Sequence, residues 1–213
     1  MEAYLDNSAT TRVDAQVQEL MKKLMDVDFG NPSSRHQKGV VAEGYIKEAR
    51  QKIAATLKVD PKEFIITSGG TESNNMALIG TALAAKRKGN HIITTAVEHP
   101  SVKATASFLE EQGFRITFLS VDSRGQISLE DLKKALTPDT ILVSIMYVNN
   151  EIGTIQPVEE AAKLVHATVP GAVFHVDAIQ AYGKVMIRPK QQGIDLLSVS
   201  SHKFHGPKGA GFL

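Results

Sequence analysis

A chain of 213 residues is long enough for one substantial core, or for one domain and part of a second. Hydrophobic residues at 42%, charged residues at 22% and a net charge of +1, from 24 basic and 23 acidic groups, fit an ordinary globular protein and argue against nucleic-acid or membrane-surface binding by bulk charge. There is no cysteine, so disulfides and thiolate metal sites within the chain are excluded. No apolar stretch approaches bilayer-spanning length, and MEAYLDNSATT lacks the basic flank and apolar run of a signal peptide, so a cytoplasmic address is expected.

Val17, Leu20, Met21, Leu24 and Met25 fall on one face of a helix predicted behind Asp14. FGNPSS (29–34) is a loop by composition, and Val41, Tyr45, Ala49, Ile53 and Leu57 mark a longer amphipathic helix. Residues 64–67 read as a buried strand, followed by Ser68-Gly69-Gly70-Thr71 and a helix to about residue 88. That helix ends on Lys86, Arg87 and Lys88, a solvated basic terminus favoured by the helix dipole. A strand at 91–95, a helix at 101–112 and a strand at 114–119 come next. Ser128-Leu129-Glu130-Asp131 is a capping-box pattern opening a short helix. A strand at 141–148, a helix at 157–168 with Pro157 in its first turn, and strands at 173–176 and 194–199 complete the series. Phe212 and Leu213 read as the start of another strand, so the polypeptide is expected to be incomplete at its C-terminus or to find its partner segment elsewhere. The alternation predicts an α/β fold, a mostly parallel sheet with helices on both faces, with ligands beyond the C-terminal ends of the strands.

The chemically suggestive residues fall at those ends. Gly69-Gly70-Thr71, between a strand and a helix, is suited to a phosphate: glycines admit close approach and the helix start offers free N–H groups. A plain strand-to-helix turn is the alternative, and neither a Walker loop nor GxGxxG is present. In His175-Val176-Asp177-Ala178-Ile179-Gln180, a carboxylate at a strand end would suit a pyridinium nitrogen, with Gln180 three residues on as a hydrogen-bond partner. The alternatives there are a metal pair, His175 with Asp177, and a helix N-cap. Lys203 lies in the polar loop Ser200-Ser201-His202-Lys203-Phe204-His205-Gly206, and can be read as an imine-forming amine or as an ordinary surface lysine. His99 can stack on a ring or end a strand, and Asn149-Asn150-Glu151 can be a turn alone. Together, these five loops carry one coherent set of partners for a phosphorylated pyridine aldehyde.

These motifs, YLDNSATT (4–11), NPSSRH (31–36), ITSGGTESNN (66–75), VEHPS (97–101), VNNEIGTIQP (148–157), HVDAIQ (175–180) and SSHKFHGPKGAG (200–211), occur in one order over nearly the whole chain. In them the chain resembles the class V aminotransferase-type, fold-type I pyridoxal phosphate enzymes, and within these the cysteine desulfurases of the NifS and IscS kind. The resemblance implies that Lys203 carries pyridoxal 5′-phosphate as a Schiff base and moves protons at the substrate α carbon. It implies that Asp177 pairs with the pyridine nitrogen, that His99 stacks on the ring, and that Asn150 and Gln180 contact the ring-oxygen side. Gly70, Thr71, Ser200 and His202 would bind the phosphate, with Ser201 adjacent. The implied substrate is L-cysteine, whose sulfur passes to a cysteine as a persulfide, with release of L-alanine, for iron–sulfur clusters or other acceptors. Implied partners are a second copy in a homodimer, a sulfur-acceptor or scaffold protein, and a separate C-terminal half. Residues 1–14 would be an arm joining a small domain, residues 15–213 a truncated cofactor domain, and the C-terminal small domain absent. The family's catalytic cysteine lies in its second half, and this chain has none. A selenocysteine lyase, a transaminase and a non-catalytic remnant acting as a binding module are the alternatives.

Overall fold

The protein is described by a computed structural model covering residues 3–213. Helix α1 (Ala15–Asp26) starts where Asp14 accepts the Gln16 N–H at 2.8 Å, and α2 (Gln37–Leu57) ends on a left-handed Lys58. They lead to strand β1 (Ile66–Thr67), helix α3 (Gly70–Ala85) and strand β2 (His91–Thr95). Then come α4 (Pro100–Glu111), β3 (Arg115–Leu119), α5 (Leu129–Ala135), β4 (Thr140–Met146) and α6 (Val158–Thr168). The chain closes with β5 (Val173–Asp177), the short α7 (Pro189–Gln192), β6 (Leu196–Ser200) and β7 (Gly211–Phe212).

The seven strands form one sheet in the order β1-β7-β6-β5-β4-β2-β3. The pairs from β6 through β5, β4 and β2 to β3 are parallel, while β7 runs antiparallel to both β6 and β1. Every residue of β2 and of β4 is buried, as expected of parallel strands covered on both faces. Successive residues point to opposite faces and build two cores. Ile92 and Leu142 pack with Ala77 and Leu78 of α3 and Val102 and Leu109 of α4. Ile93 and Val143 face the other way, toward Leu132 of α5 and Val158, Ala161 and Val165 of α6.

Several elements differ from the sequence expectation. The strand at 64–67 shrinks to Ile66–Thr67, and Ile65 and Ile66 are about half exposed, because β1 sits at the sheet edge and pairs only with the short β7. The apolar face of α1 forms but buries no residue among those described. Pro157 is the N-cap of α6 rather than a first-turn residue. Ser128 accepts the Asp131 N–H, the forward half of the capping box; the complete box lies at Asp60 and Glu63, around a 3₁₀ turn. The lysine loop tightens into a 3₁₀ turn at Ser201–Lys203. No helix among the described residues is long and apolar enough to cross a membrane.

Candidate active site

Because β1 and the parallel strands share one direction, the turns after β1, β2, β4, β5 and β6 gather at one sheet edge. They enclose a cleft of 490 Å³. Nine of the ten residues singled out from the sequence line it: Gly70, Thr71, His99, Asn150, Asp177, Gln180, Ser200, His202 and Lys203. Ser201 does not: its hydroxyl is committed to the Pro207 carbonyl and its N–H to that of Ala210, so it braces the loop from behind.

Asp177 ends β5, the central strand, with 4% of its surface exposed. One carboxylate oxygen accepts the Ile179 N–H at 3.0 Å and the other the Asn74 side-chain amide at 2.8 Å. Burial pushes this carboxyl above its ordinary range, while those two donors and the charges of His99 and Lys203 pull the other way. The rival metal pairing fails at His175. That ring is fully buried, with Nδ1 2.8 Å from the Ser144 hydroxyl and Nε2 2.8 Å from the Ser198 hydroxyl, on the two flanking strands. Both nitrogens are taken, and burial pulls the imidazole down to about 3.

A second buried carboxyl, Glu98, lies in the turn after β2. Its Oε1 accepts the Met146 N–H and the Thr95 hydroxyl, each at 2.8 Å, and its Oε2 has no partner among the described residues. Burial and, next, the nearby Asp177 push it up to about 8. That shift favours the protonated form of Glu98 at neutral pH, while Asp177 takes its two donors on separate carboxylate oxygens.

Lys203 sits at the end of the 3₁₀ turn after β6. Its Nζ donates to the carbonyls of Ser8 and Ala9, at 2.6 and 2.8 Å. The N-terminal arm reaches it because Thr11 donates its N–H to the His202 carbonyl and Asp14 its N–H to that of His205. Burial first, and Lys184 next, lower the lysine below its usual range; Asp6 and Asp177 oppose them. A lowered amine is the nucleophilic one. His202, with Nδ1 3.1 Å from the Thr10 hydroxyl, is pulled down by burial and by Lys203 and Lys208.

The glycine turn enters α3 through Gly69, whose φ of 151° suits glycine alone. At Gly70 a Cβ would stand 2.1 Å from Cδ1 of Ile179, so the helix start is pressed against the turn that follows Asp177. The Thr71 and Ser200 side chains hydrogen-bond to no protein group among the described residues and open into the cleft. His99 caps α4 through Nδ1, which accepts the Ser101 N–H at 3.1 Å. The Asn-Asn pair divides its work: Asn149 is the turn residue, accepting the Glu151 and Ile152 N–H groups, while Asn150 faces the cleft. Gln180 is buried, its amide nitrogen donating to the Ser8 carbonyl at 2.8 Å.

Sequence reasoning missed Asn74 and the arm carbonyls of Ser8 and Ala9, and placed Glu98 beside His99 at a strand end without giving it a role. Asn74 had a signal: it lies four residues, one helical turn, after Gly70 and therefore on the same face. Main-chain carbonyls leave no side-chain signature at all.

The family model for aminotransferase class-V proteins matches residues 3–213, and the chain belongs to that family, whose cofactor is pyridoxal 5′-phosphate. Within it, the relatives are cysteine desulfurases of the IscS and NifS kind. "Cysteine desulfurase IscS" of Dictyoglomus turgidum (strain DSM 6724 / Z-1310) is 51% identical over 212 residues, which are 100% of this chain and 53% of the relative. "Putative cysteine desulfurase IscS 1" of Bacillus subtilis (strain 168) is 50% identical over 210 residues, 99% of this chain and 55% of the relative. Among solved structures, a "NIFS-LIKE PROTEIN" superposes with a TM-score of 0.97 at 44% identity, covering 100% of this chain and 58% of that one. "SspA in complex with cysteine" gives 0.95 at 40% identity, covering 99% and 60%. The chain thus spans about half the length of the curated relatives it matches.

Proposed function

We propose that this chain is the cofactor-binding part of a pyridoxal 5′-phosphate-dependent cysteine desulfurase, with Lys203 as the amine that holds the cofactor aldehyde. The observation that carries the reading is the pairing, across one cleft, of a lowered lysine with a buried carboxylate that has no cation in salt-bridge contact among the described residues.

The residues fit the group. Asp177 would hold the pyridine nitrogen in its charged form, which offsets the cost of burying the carboxylate. Thr71, Ser200 and His202, with the N–H groups opening α3 at Gly70, make a donor set suited to a phosphate. Asn150 and Gln180 offer amides toward the ring-oxygen side, and His99 one wall of the slot. Bound there, pyridoxal phosphate supplies an electron sink for the substrate α carbon. Lys203, released from the cofactor, takes and returns a proton at that carbon.

Support for L-cysteine as the substrate comes from the names of the relatives and from the cysteine complex of a structural neighbour. L-Alanine is then the product, and the sulfur leaves as a persulfide toward iron–sulfur clusters or other acceptors. The chain contains no cysteine, so the accepting thiol comes from another segment or another chain. Residues 15–213 form the cofactor domain of the whole enzyme, and residues 1–14 the arm that leaves it for the small domain; the open side chains of Tyr4 and Leu5 support this. A homodimer and a cytoplasmic address belong to the same proposal.

The test is borohydride reduction in the presence of pyridoxal phosphate, followed by peptide mapping. A stable adduct on Lys203 is expected. An adduct on Lys208 instead, or none on Lys203, overturns the reading.

A further inference from the structure

Lys184 lies in the turn after β5, outside every motif singled out above. Its Nζ donates to Oε1 of Gln180 at 3.1 Å. The Gln180 amide nitrogen donates to the Ser8 carbonyl at 2.8 Å, and that carbonyl also accepts the Lys203 ammonium at 2.6 Å. The two lysines are thus the ends of one chain of hydrogen bonds, Lys184 to Gln180 to Ser8 to Lys203.

The direction of that chain follows from the donor inventory. An ammonium has three donors and no acceptor, so Lys184 can meet only the oxygen of the amide. With Oε1 held, Nε2 must point to the cleft side and the arm. The Ser8 carbonyl at the other end selects the same orientation, so the two contacts reinforce each other. Gln180 is buried, so a flipped amide would set its oxygen against the Ser8 carbonyl oxygen, two acceptors with no hydrogen between them.

We propose that Lys184 is a positioning residue of this site: its ammonium locks the Gln180 amide with nitrogen toward the cleft, and thereby holds the Ser8 carbonyl that seats Lys203. The inference rests on Lys203 being the reactive amine. A second effect runs through space. After burial, Lys184 is the next cause lowering Lys203, against Asp6 and Asp177, while His202 is the neighbouring imidazole. Burial lowers Lys184 as well. One cation thus both orients the amide and favours the neutral, nucleophilic state of the other.

The experiment labels Lys203 with an amine-reactive reagent across a pH series, in cofactor-free protein, for wild type, Lys184→Met and Lys184→Arg. Lys184→Met is expected to move the Lys203 labelling curve to higher pH, lowering the rate on its rising limb roughly threefold, the worth of a partly screened charge pair. Lys184→Arg, which keeps the charge and the donors, is expected to restore the curve. An unchanged curve in Lys184→Met overturns the inference, as does an equal loss in both variants. Borohydride mapping of the wild type separates the two claims. An adduct on Lys203 with an unmoved Lys184→Met curve defeats the positioning role alone, and a missing adduct with a curve that does move defeats the cofactor assignment alone.

Discussion

Asn74, one turn into α3, donates its side-chain amide to Asp177 at 2.8 Å, tying the helix that begins at the glycine turn to the central strand of the sheet. The same amide nitrogen lies 3.0 Å from the Ser101 hydroxyl, and the amide oxygen has no partner among the described residues. The arrangement serves the carboxylate rather than the asparagine. Asn74→Ala is expected to weaken pyridoxal phosphate binding roughly tenfold, the worth of one hydrogen bond to a charged group. An absorbance titration checks this, and an unchanged affinity would remove Asn74 from the site.

Lys203→Ala is expected to abolish the borohydride-stable adduct while leaving weaker, dialysable cofactor binding through the phosphate donors. Adding Thr71→Val and Ser200→Ala to that variant should remove the residual binding. Equilibrium dialysis with and without competing inorganic phosphate measures both.

Glu98 gives the chain a stability that declines on the alkaline side. Its pKa rises from 4.5 to about 8 on folding, so between those values the folded state binds more protons than the unfolded one. The contribution is complete below pH 4.5 and is lost as pH rises through about 8. Glu98→Gln imitates the protonated form and should flatten this limb, giving a variant more stable than wild type by on the order of a few kcal/mol above pH 8 and little changed near pH 5. Urea denaturation at the two pH values decides it.

Two imidazoles act at the acid side. His91 is pulled from 6.5 to about 4 and His175 from 6.5 to about 3, chiefly by burial. Here the unfolded state binds more protons, so the stability is present above 6.5 and is lost as pH falls toward those lower values. Between 4.5 and 6.5 the Glu98 slope opposes this loss. His175→Gln should lower overall stability but reduce the steepness of the acid limb, read from denaturant midpoints across pH 3 to 7. An equally steep limb would mean that other groups govern it.

Gly70→Ala places a methyl against the end of Ile179, an overpacking of about 1–3 kcal/mol. Because the obstacle is a side-chain terminus and not backbone, Gly70→Ala combined with Ile179→Ala should recover most of the loss. Thermal denaturation of the single and double variants tests the coupling.

Much of this site was readable because its side chains sit in short motifs at strand ends, where an α/β sheet must present them. The parallel strands were legible as short, largely apolar runs at 91–95 and 173–176, the second ending one residue short of Asp177. The strand at 66–67 was not: the apolar run Phe64-Ile65-Ile66 looks buried, yet edge placement leaves Ile65 and Ile66 open. Asn74 read as one polar residue among several on a helix, since burial of a polar face shows only when its partner, Asp177, is placed beneath it. The Ser8 and Ala9 carbonyls and the Lys184 contact depend on the chain's path, which brings residues far apart in sequence to the same atom.

Strand β1 enters the sheet only through β7, and Ser73 donates to the Phe212 carbonyl across the same junction. The glycine turn is thus seated by residues made about two thirds of this chain's length later. During synthesis the parallel strands β2 to β5 have local partners well before β7 emerges, so the phosphate-facing corner is expected to acquire its shape last, after the slow closure of a very long loop.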